Sequence, residues 1–210
     1  MNKYDTVLRL FVDSSQYGDF TNVPFRQDCR IYATDKLSII SVGSDLTEEQ
    51  YDFLEKPDCY RVLNKPQNRN KVFTLGGLSN LLSRIPKVKF KKCDACDGFG
   101  QVDFEFEYDG GTYYHRGDCP ICDGTGKVGL LLEKYDYRYG VKFESDTWPL
   151  KHNQLIKLIK TMDLLHTDAA ELVYADTQTC KFKLVNDIEV MFCAYHPKQE
   201  FEDFVVCYEE

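Results

Sequence analysis

The sequence has no apolar run long enough to cross a bilayer. Its first residues, Met1-Asn2-Lys3-Tyr4-Asp5, lack the charged-then-apolar pattern of a secretory signal. No membrane partner is expected, and the chain reads as cytoplasmic. It is also short of positive charge. A net charge of −8 argues against a protein that coats nucleic acid without specificity, because phosphate contacts need clustered Lys and Arg. A local basic face is still compatible with that total. Catalytic signatures are missing as well. Gly124-Thr-Gly126-Lys127 is followed by Val128 and has no glycine at the earlier offset, so the phosphate-loop pattern fails. No Gly-x-Ser-x-Gly or His-Glu-x-x-His occurs, and His152 and His166 are not spaced as a metal pair. The reading is a protein without enzymatic activity.

The chain does contain 14 Tyr, 14 Phe and nine Cys among its 210 residues. Aromatic residues favour strands, so an α+β fold is expected, mostly antiparallel sheet with a few helices. An odd cysteine count without a signal points away from disulfides. Five cysteines, Cys29, Cys59, Cys180, Cys193 and Cys207, lie in or near apolar stretches and read as small buried hydrophobes.

The other four form a pattern. Cys93-Asp-Ala-Cys-Asp-Gly-Phe-Gly100 and Cys119-Pro-Ile-Cys-Asp-Gly-Thr-Gly126 repeat cysteines and glycines at matching offsets. Zinc takes four tetrahedral ligands and binds thiolates well, and each Cys-x-x-Cys turn offers two sulfurs from one tight loop. Cys93, Cys96, Cys119 and Cys122 therefore predict one structural Zn2+. Gly98, Gly100, Gly124 and Gly126 would let the backbone turn with positive φ and aim amides at the sulfurs. His115 could replace a ligand, but four cysteines already fill the site. With no open position, the metal would not act as a Lewis acid.

The local periodicities predict the remaining elements. Tyr4–Val12 reads as a strand, and 29–42 as two strands around Thr34-Asp35-Lys36. Thr47-Glu-Glu-Gln50 has capping-box form and predicts a short helix ending before Pro57. A strand over 71–75 precedes a helix carrying Leu78, Leu81, Leu82 and Ile85, stopped by Pro86. Residues 87–92, Lys-Val-Lys-Phe-Lys-Lys, form an alternating basic strand that can pair with 127–133. Between the cysteine pairs, 102–108 and 112–116 predict a hairpin about Asp109-Gly110-Gly111. Residues 137–143 read as a strand. A helix from near Pro149 carries Leu155, Leu158, Ile159, Met162 and Leu165. Strands at 171–174, 179–185 and 188–194, with a turn at Asn186-Asp187, and a last strand at 203–208 complete the chain. The simplest organisation is an α+β body, 1–88 and 132–210, interrupted by a zinc-ribbon hairpin module at 89–131. Two independent flanking halves are the alternative.

The two eight-residue motifs resemble the Cys-x-x-Cys-x-Gly-x-Gly repeats of the DnaJ-type cysteine-rich zinc domain over residues 93–126. That family carries four repeats and two zincs, so two repeats here imply one zinc. The resemblance implies an elongated hairpin module used for protein contacts, including unfolded clients. It does not extend to the J-domain: His196-Pro197 is followed by Lys198, and no Gly/Phe-rich linker occurs. Two functional readings follow. In the first, the zinc hairpin projects from the body as an adaptor arm, and Tyr113 and Tyr114 contact a protein partner. In the second, Arg84, Lys87, Lys89, Lys91 and Lys92 contact nucleic acid. To this second reading belongs a resemblance of the C-terminal order (helix 150–165, strand, Asn186-Asp187 hairpin) to one repeat of a DNA sliding-clamp domain, which implies a DNA-replication accessory. Oligomeric state is not legible in the sequence.

Overall fold

The computed structural model describes residues 2–13, 21–55, 57–136, 139–143, 149–193 and 205–207, with backbone alone at 88–91, 129–134, 205 and 207. The elements in chain order are α1 (Lys3–Arg9), β1 (Phe25–Gln27), β2 (Arg30–Thr34), β3 (Ser38–Gly43), α2 (Cys59–Leu63), β4 (Lys71–Thr74), α3 (Leu75–Ser83), β5 (Lys87–Lys92), β6 (Gln101–Tyr108), β7 (Gly111–Asp118), β8 (Lys127–Tyr135), β9 (Gly140–Lys142), β10 (Leu150–Lys151), α4 (His152–Leu165), β11 (Ala169–Ala175), β12 (Thr179–Lys183), β13 (Glu189–Cys193) and β14 (Val205–Cys207). The α+β class, mostly antiparallel, is as expected. The chain divides into two compact units, Met1–Ile85 with Tyr137–Glu210, and Pro86–Asp136.

The first unit is built on a seven-stranded sheet in the order β1-β2-β3-β13-β12-β11-β4. Every pairing within it is antiparallel. Strands from both flanks of the cysteine region share this sheet: β13 lies against β3, and β11 against β4. A smaller sheet runs β10-β9-β14. Three helices supply apolar faces to the core, with Val7, Leu8 and Phe11 from the α1 region, Leu78, Leu81 and Ile85 from the α3 region, and Leu155, Leu158, Met162 and Leu165 from α4 all buried. Phe73, Phe143, Phe182 and Phe192 form a chain of edge-on ring contacts, at 5.0 Å between Phe73 and Phe143 and 5.4 Å between Phe143 and Phe182. A second buried cluster joins Phe25, Tyr32, Ile39, Cys59, Leu63 and Met191. Opposite faces of one strand are thus used: Phe192 and Val190 alternate with Met191.

Two local expectations are corrected. Residues 3–9 are helical, not a strand. The Asn2 side chain caps the first turn, accepting from the Tyr4 amide at 3.2 Å, and Asp5 sits in that turn where the helix dipole favours it. Val7, Leu8 and Phe11 then fall on one buried face, a helical spacing that looser alternation disguised. Thr47-Glu48-Glu49-Gln50 starts no helix. The Thr47 hydroxyl donates to the Ser44 carbonyl instead of capping, while buried Asp5 accepts from the Glu48 amide at 3.2 Å and the Tyr51 hydroxyl at 2.7 Å. A long-range carboxylate thus ties down the Glu48 amide and the Tyr51 hydroxyl on either side of the segment, and the Thr47 hydroxyl is turned back to Ser44. The helix in this region, α2, lies after Pro57, with the Asp58 side chain accepting from the Arg61 amide.

The other expected elements are present with shifted ends. Helix α4 starts at His152 because Leu150–Lys151 pairs with β9. Of the expected strands at 137–143, 188–194 and 203–208, residues 137, 138, 194, 203, 204 and 208 lie outside the described residues. Cys59 and Cys180 are buried as expected, but Cys29 and Cys193 are exposed. No helix among the described residues is long and apolar enough to cross a membrane.

Candidate metal centre and hairpin surface

The unit at Pro86–Asp136 consists of two two-stranded ribbons, β5-β8 and β6-β7, joined through the cysteine motifs. Its base is closed by the Asp136 amide donating to the Pro86 carbonyl at 2.9 Å. The β5-β8 ladder shifts register between Phe90 and Lys91.

Each motif is a tight turn that returns on itself. The Gly98 amide donates to the Cys93 carbonyl, and the Gly124 amide to that of Cys119, at 3.0 and 3.2 Å. The two motifs also clasp one another: the Cys93 amide donates to the Gly126 carbonyl at 2.9 Å and the Cys119 amide to the Gly100 carbonyl at 2.8 Å. All four motif glycines have φ between 71° and 80°. At Gly100 and Gly126 more than backbone freedom is at stake. A Cβ there would stand 2.1 Å from the Gly124 oxygen and 2.2 Å from the Gly98 oxygen, respectively. Asp97 and Asp123, one in each motif, are also left-handed at 51° and 48°, a conformation that Asp tolerates better than most residues. Their matched position after the second cysteine was a signal available in the sequence.

This clasp brings the four sulfurs together. Cys93, Cys96, Cys119 and Cys122 are buried, and their Sγ atoms all lie within 4.8 Å of one another. Cys93 Sγ stands 3.9 Å from Cys119 Sγ, and Cys96 Sγ 3.7 Å from Cys122 Sγ. A tetrahedral zinc with bonds of ~2.3 Å has sulfur–sulfur edges of about 3.8 Å, so the spacing fits that donor set. The Gly100 amide donates to Cys96 Sγ at 3.2 Å and the Gly126 amide to Cys122 Sγ at 3.1 Å, which favours thiolate. Burial pushes the Cys96 thiol up, but the Gly100 amide and the adjoining Cys122 and Cys93 sulfurs hold it down at about 7. Burial wins at Cys119, which is pushed up to about 11. Four cysteines are therefore positioned to bind a metal ion. His115 is exposed on the hairpin opposite Phe104 and lies outside this group.

The hairpin β6-β7 turns through Asp109 and Gly110, both at positive φ, the form that suits a two-residue turn. Its register sets Phe104 opposite His115, Phe106 opposite Tyr113 and Glu105 opposite Tyr114. Opposed residues share a face and neighbours alternate. One face therefore carries Phe104, Phe106, Tyr108 and Tyr113, and the other Asp103, Glu105, Glu107, Tyr114 and Arg116. The rings of Phe106 and Tyr113 stack at 5.6 Å between centroids. These aromatics are open to solvent: Phe106 is 51% exposed, Tyr108 71% and Tyr114 73%. Tyr113 and Tyr114, paired in the sequence reading, point to opposite faces.

The basic residues have varied surroundings. Arg84 caps the C-terminus of α3 in the first unit. The Lys87 ammonium lies 5.3 Å from the Tyr135 ring centre, and Lys92 is ion-paired to Asp97. Lys89 stands opposite Glu133 in the ladder and Lys91 opposite Val128; their side chains lie outside the described residues. In the first unit an apolar pocket of ≈ 290 Å³ is lined by Ile39, Pro57, Cys59, Val62, Met191 and Cys193, among others.

No protein-family model matches the chain, and no curated protein matches it. Solved structures do. A Helicobacter pylori β clamp in complex with diflunisal aligns with a TM-score of 0.51 at 6% identity, covering 92% of this chain and 63% of the clamp. A Caulobacter crescentus β sliding clamp aligns at 0.49 and 8% identity, covering 93% and 65%. DNA polymerase III subunit β of Pseudomonas aeruginosa aligns at 0.47 and 8%, covering 93% and 65%. The alignment at 0.51 marks the fold as sliding-clamp-like, and the chain spans 63–65% of the length of these clamps.

Proposed function

We propose that this is a non-enzymatic protein-interaction protein, in which a single structural zinc holds a hairpin that offers aromatic side chains to a partner protein. The observation that carries this reading is the hairpin surface. Phe104, Phe106, Tyr108 and Tyr113 share one face and are each at least 40% exposed, with Tyr114 exposed on the other, and contiguous exposed aromatic surface marks interaction sites. Zinc is inferred from four buried thiolate donors at tetrahedral spacing. Cys93, Cys96, Cys119 and Cys122 would fill its coordination, leaving no position for substrate. Residues 89–131 are taken as a DnaJ-like module inserted between 1–88 and 132–210. Support comes from the sheet shared by both flanks. The test is affinity capture from the native host, followed by the single variants Tyr113→Ala and Tyr114→Ala. Loss of a defined partner in either variant is expected; unchanged recovery in both refutes the reading.

A second reading is favoured by the sliding-clamp-like fold: an accessory protein of DNA metabolism. The basic residues Arg84, Lys87, Lys89, Lys91 and Lys92 would then contact phosphate. The apolar pocket beside Met191 would seat a partner's apolar side chain. Here DNA binding is expected to fall steeply with salt and to disappear with Lys89→Glu plus Lys91→Glu. Binding that survives both changes excludes this strand as the contact.

A further inference from the structure

The β6-β7 ribbon has more than an aromatic face. Among the described residues it is a pair of strands, each of eight residues, with no third strand on either edge. A two-residue turn makes its flanking pair, Tyr108 and Gly111, a hydrogen-bonded one, and bonded and non-bonded pairs alternate from there. Asp103, Glu105 and Glu107 occupy non-bonded positions, so their peptide N–H and C=O groups point outward along β6. Their side chains all lie on one face. Asp103 is matched at 3.9 Å by Arg116. Among the described residues, Glu105 and Glu107 have no ion-pair partner. Along this edge, therefore, open backbone groups coincide with unmatched carboxylates on one face, while rings fill the other.

We infer that the β6 edge takes up an extended partner segment as a third strand, and that this segment alternates basic and apolar residues. The inference rests on the protein-interaction reading above and gives its partner a chemistry. A strand added beside β6 places every second residue next to Asp103, Glu105 and Glu107, where Lys or Arg is favoured. The intervening residues fall beside Phe104, Phe106 and Tyr108, where apolar side chains are favoured. Tyr114, on the acidic face opposite Glu105, adds a ring over which a cation can rest. The β7 edge is a poorer host, because its residues on that face are Thr112, Tyr114 and Arg116.

The test uses the full zinc-loaded chain and a fluorescent peptide of about eight residues alternating Lys and Val, matched to the length of the edge. A second peptide has the same composition with its Lys and Val in separate blocks. A third is methylated on alternate backbone amides, which removes strand pairing. Anisotropy is expected to show binding of the first peptide alone. Glu105→Lys plus Glu107→Lys weakens it at least about tenfold, whereas reversing exposed Glu48 and Glu55 leaves it unchanged. Equal binding of the blocked peptide, equal loss from the body reversals, or no binding at all overturns the inference. So does sedimentation showing a dimer that the Glu105 and Glu107 reversals dissolve, since the occupant is then a second copy. If the natural partner is lost with Tyr113→Ala but not with these reversals, the interaction reading stands and the basic-strand chemistry falls. If neither change affects it, both fall.

Discussion

Stripping the metal from the four-cysteine site is expected to unfold residues 93–126 while the seven-stranded sheet stays folded. The reason is how little else holds this region together. Its buried cluster contains only Cys93, Cys96, Cys119 and Cys122, with Val102 and Val128 partly buried against it. At ~0.8 kcal/mol for each buried methylene-sized group, with about two such groups per Cys and half of three per Val, these six side chains contribute about 9 kcal/mol. A structural zinc in a comparable site contributes about 10–16 kcal/mol near neutral pH. The metal would thus stabilise the region by at least as much as its apolar burial does, and without it the ordering cost of the two motifs would be unmet. None of the strands in the seven-stranded sheet comes from 86–136, so that sheet loses no ladder. The assay is amide hydrogen exchange before and after chelation, with zinc content measured in parallel. The amides of Cys93 and Cys119, bonded between the motifs, and those of Gly100 and Gly126, bonded to the Cys96 and Cys122 sulfurs, should lose protection, and those of β3, β12 and β13 should keep it. Cys96→Ser plus Cys122→Ser should reproduce the pattern. Retained protection at Gly100 and Gly126 in metal-free protein refutes the reasoning, as does a purified protein holding less than about half an equivalent of zinc.

Three other perturbations follow from particular contacts. Gly100→Ala puts a methyl 2.1 Å from the Gly124 carbonyl at a φ of 79°. It should cost more than the ~1 kcal/mol of left-handed strain alone and raise the rate of zinc loss to a chelator, whereas Gly110→Ala, with nothing near its Cβ, should cost only that strain. For Asp35, burial alone would raise the carboxyl's pKa, but the Lys157 ammonium and the Ser38 hydroxyl and amide hold it below the ordinary value. A folded pKa below the unfolded one means a stability contribution present above about pH 4 and lost as pH falls through the folded value. Asp35→Asn should therefore cost about 2 kcal/mol at neutral pH and flatten the acid limb of stability against pH, read by denaturant unfolding. Asp5→Ala removes both acceptors that tie the Glu48 amide and Tyr51 hydroxyl. It should cost about 2–3 kcal/mol and open 47–51 to exchange first.

What the sequence disclosed depended on whether the determining interaction was local. The cysteine motifs were readable because their glycines, cysteines and turns act within eight residues, and the same is true of the Asp109-Gly110 hairpin. The α3 helix was readable because its leucines and Pro86 lie within a few turns of one another. The failures came where distant groups decided. Thr47 and Gln50 have the composition of a capping box, yet Asp5, more than forty residues away, takes the Glu48 amide. Tyr4–Val12 misleads for a different reason, because its loose alternation outweighs the Asn2 cap until the burial of Val7, Leu8 and Phe11 is known. The seven-stranded order was beyond the sequence too, since it pairs β3 with β13 and β4 with β11 across the intervening chain.

The hairpin shows how register turns a list of candidate residues into a surface. Tyr113 and Tyr114 are adjacent in sequence and, for that reason, cannot serve one contact: a strand sends neighbours to opposite faces. Register assigns Tyr113 to Phe106 and Tyr114 to Glu105. Their substitutions should then fail differently. Tyr113→Ala removes a stacked ring and should weaken any partner about equally at low and high salt. Tyr114→Ala acts on the carboxylate face, where a bound cation is screened, so its effect should shrink as salt rises. Measuring both variants against one partner across a salt series separates the faces; parallel salt responses would mean that the two tyrosines share a contact, and that the hairpin register is not the one described.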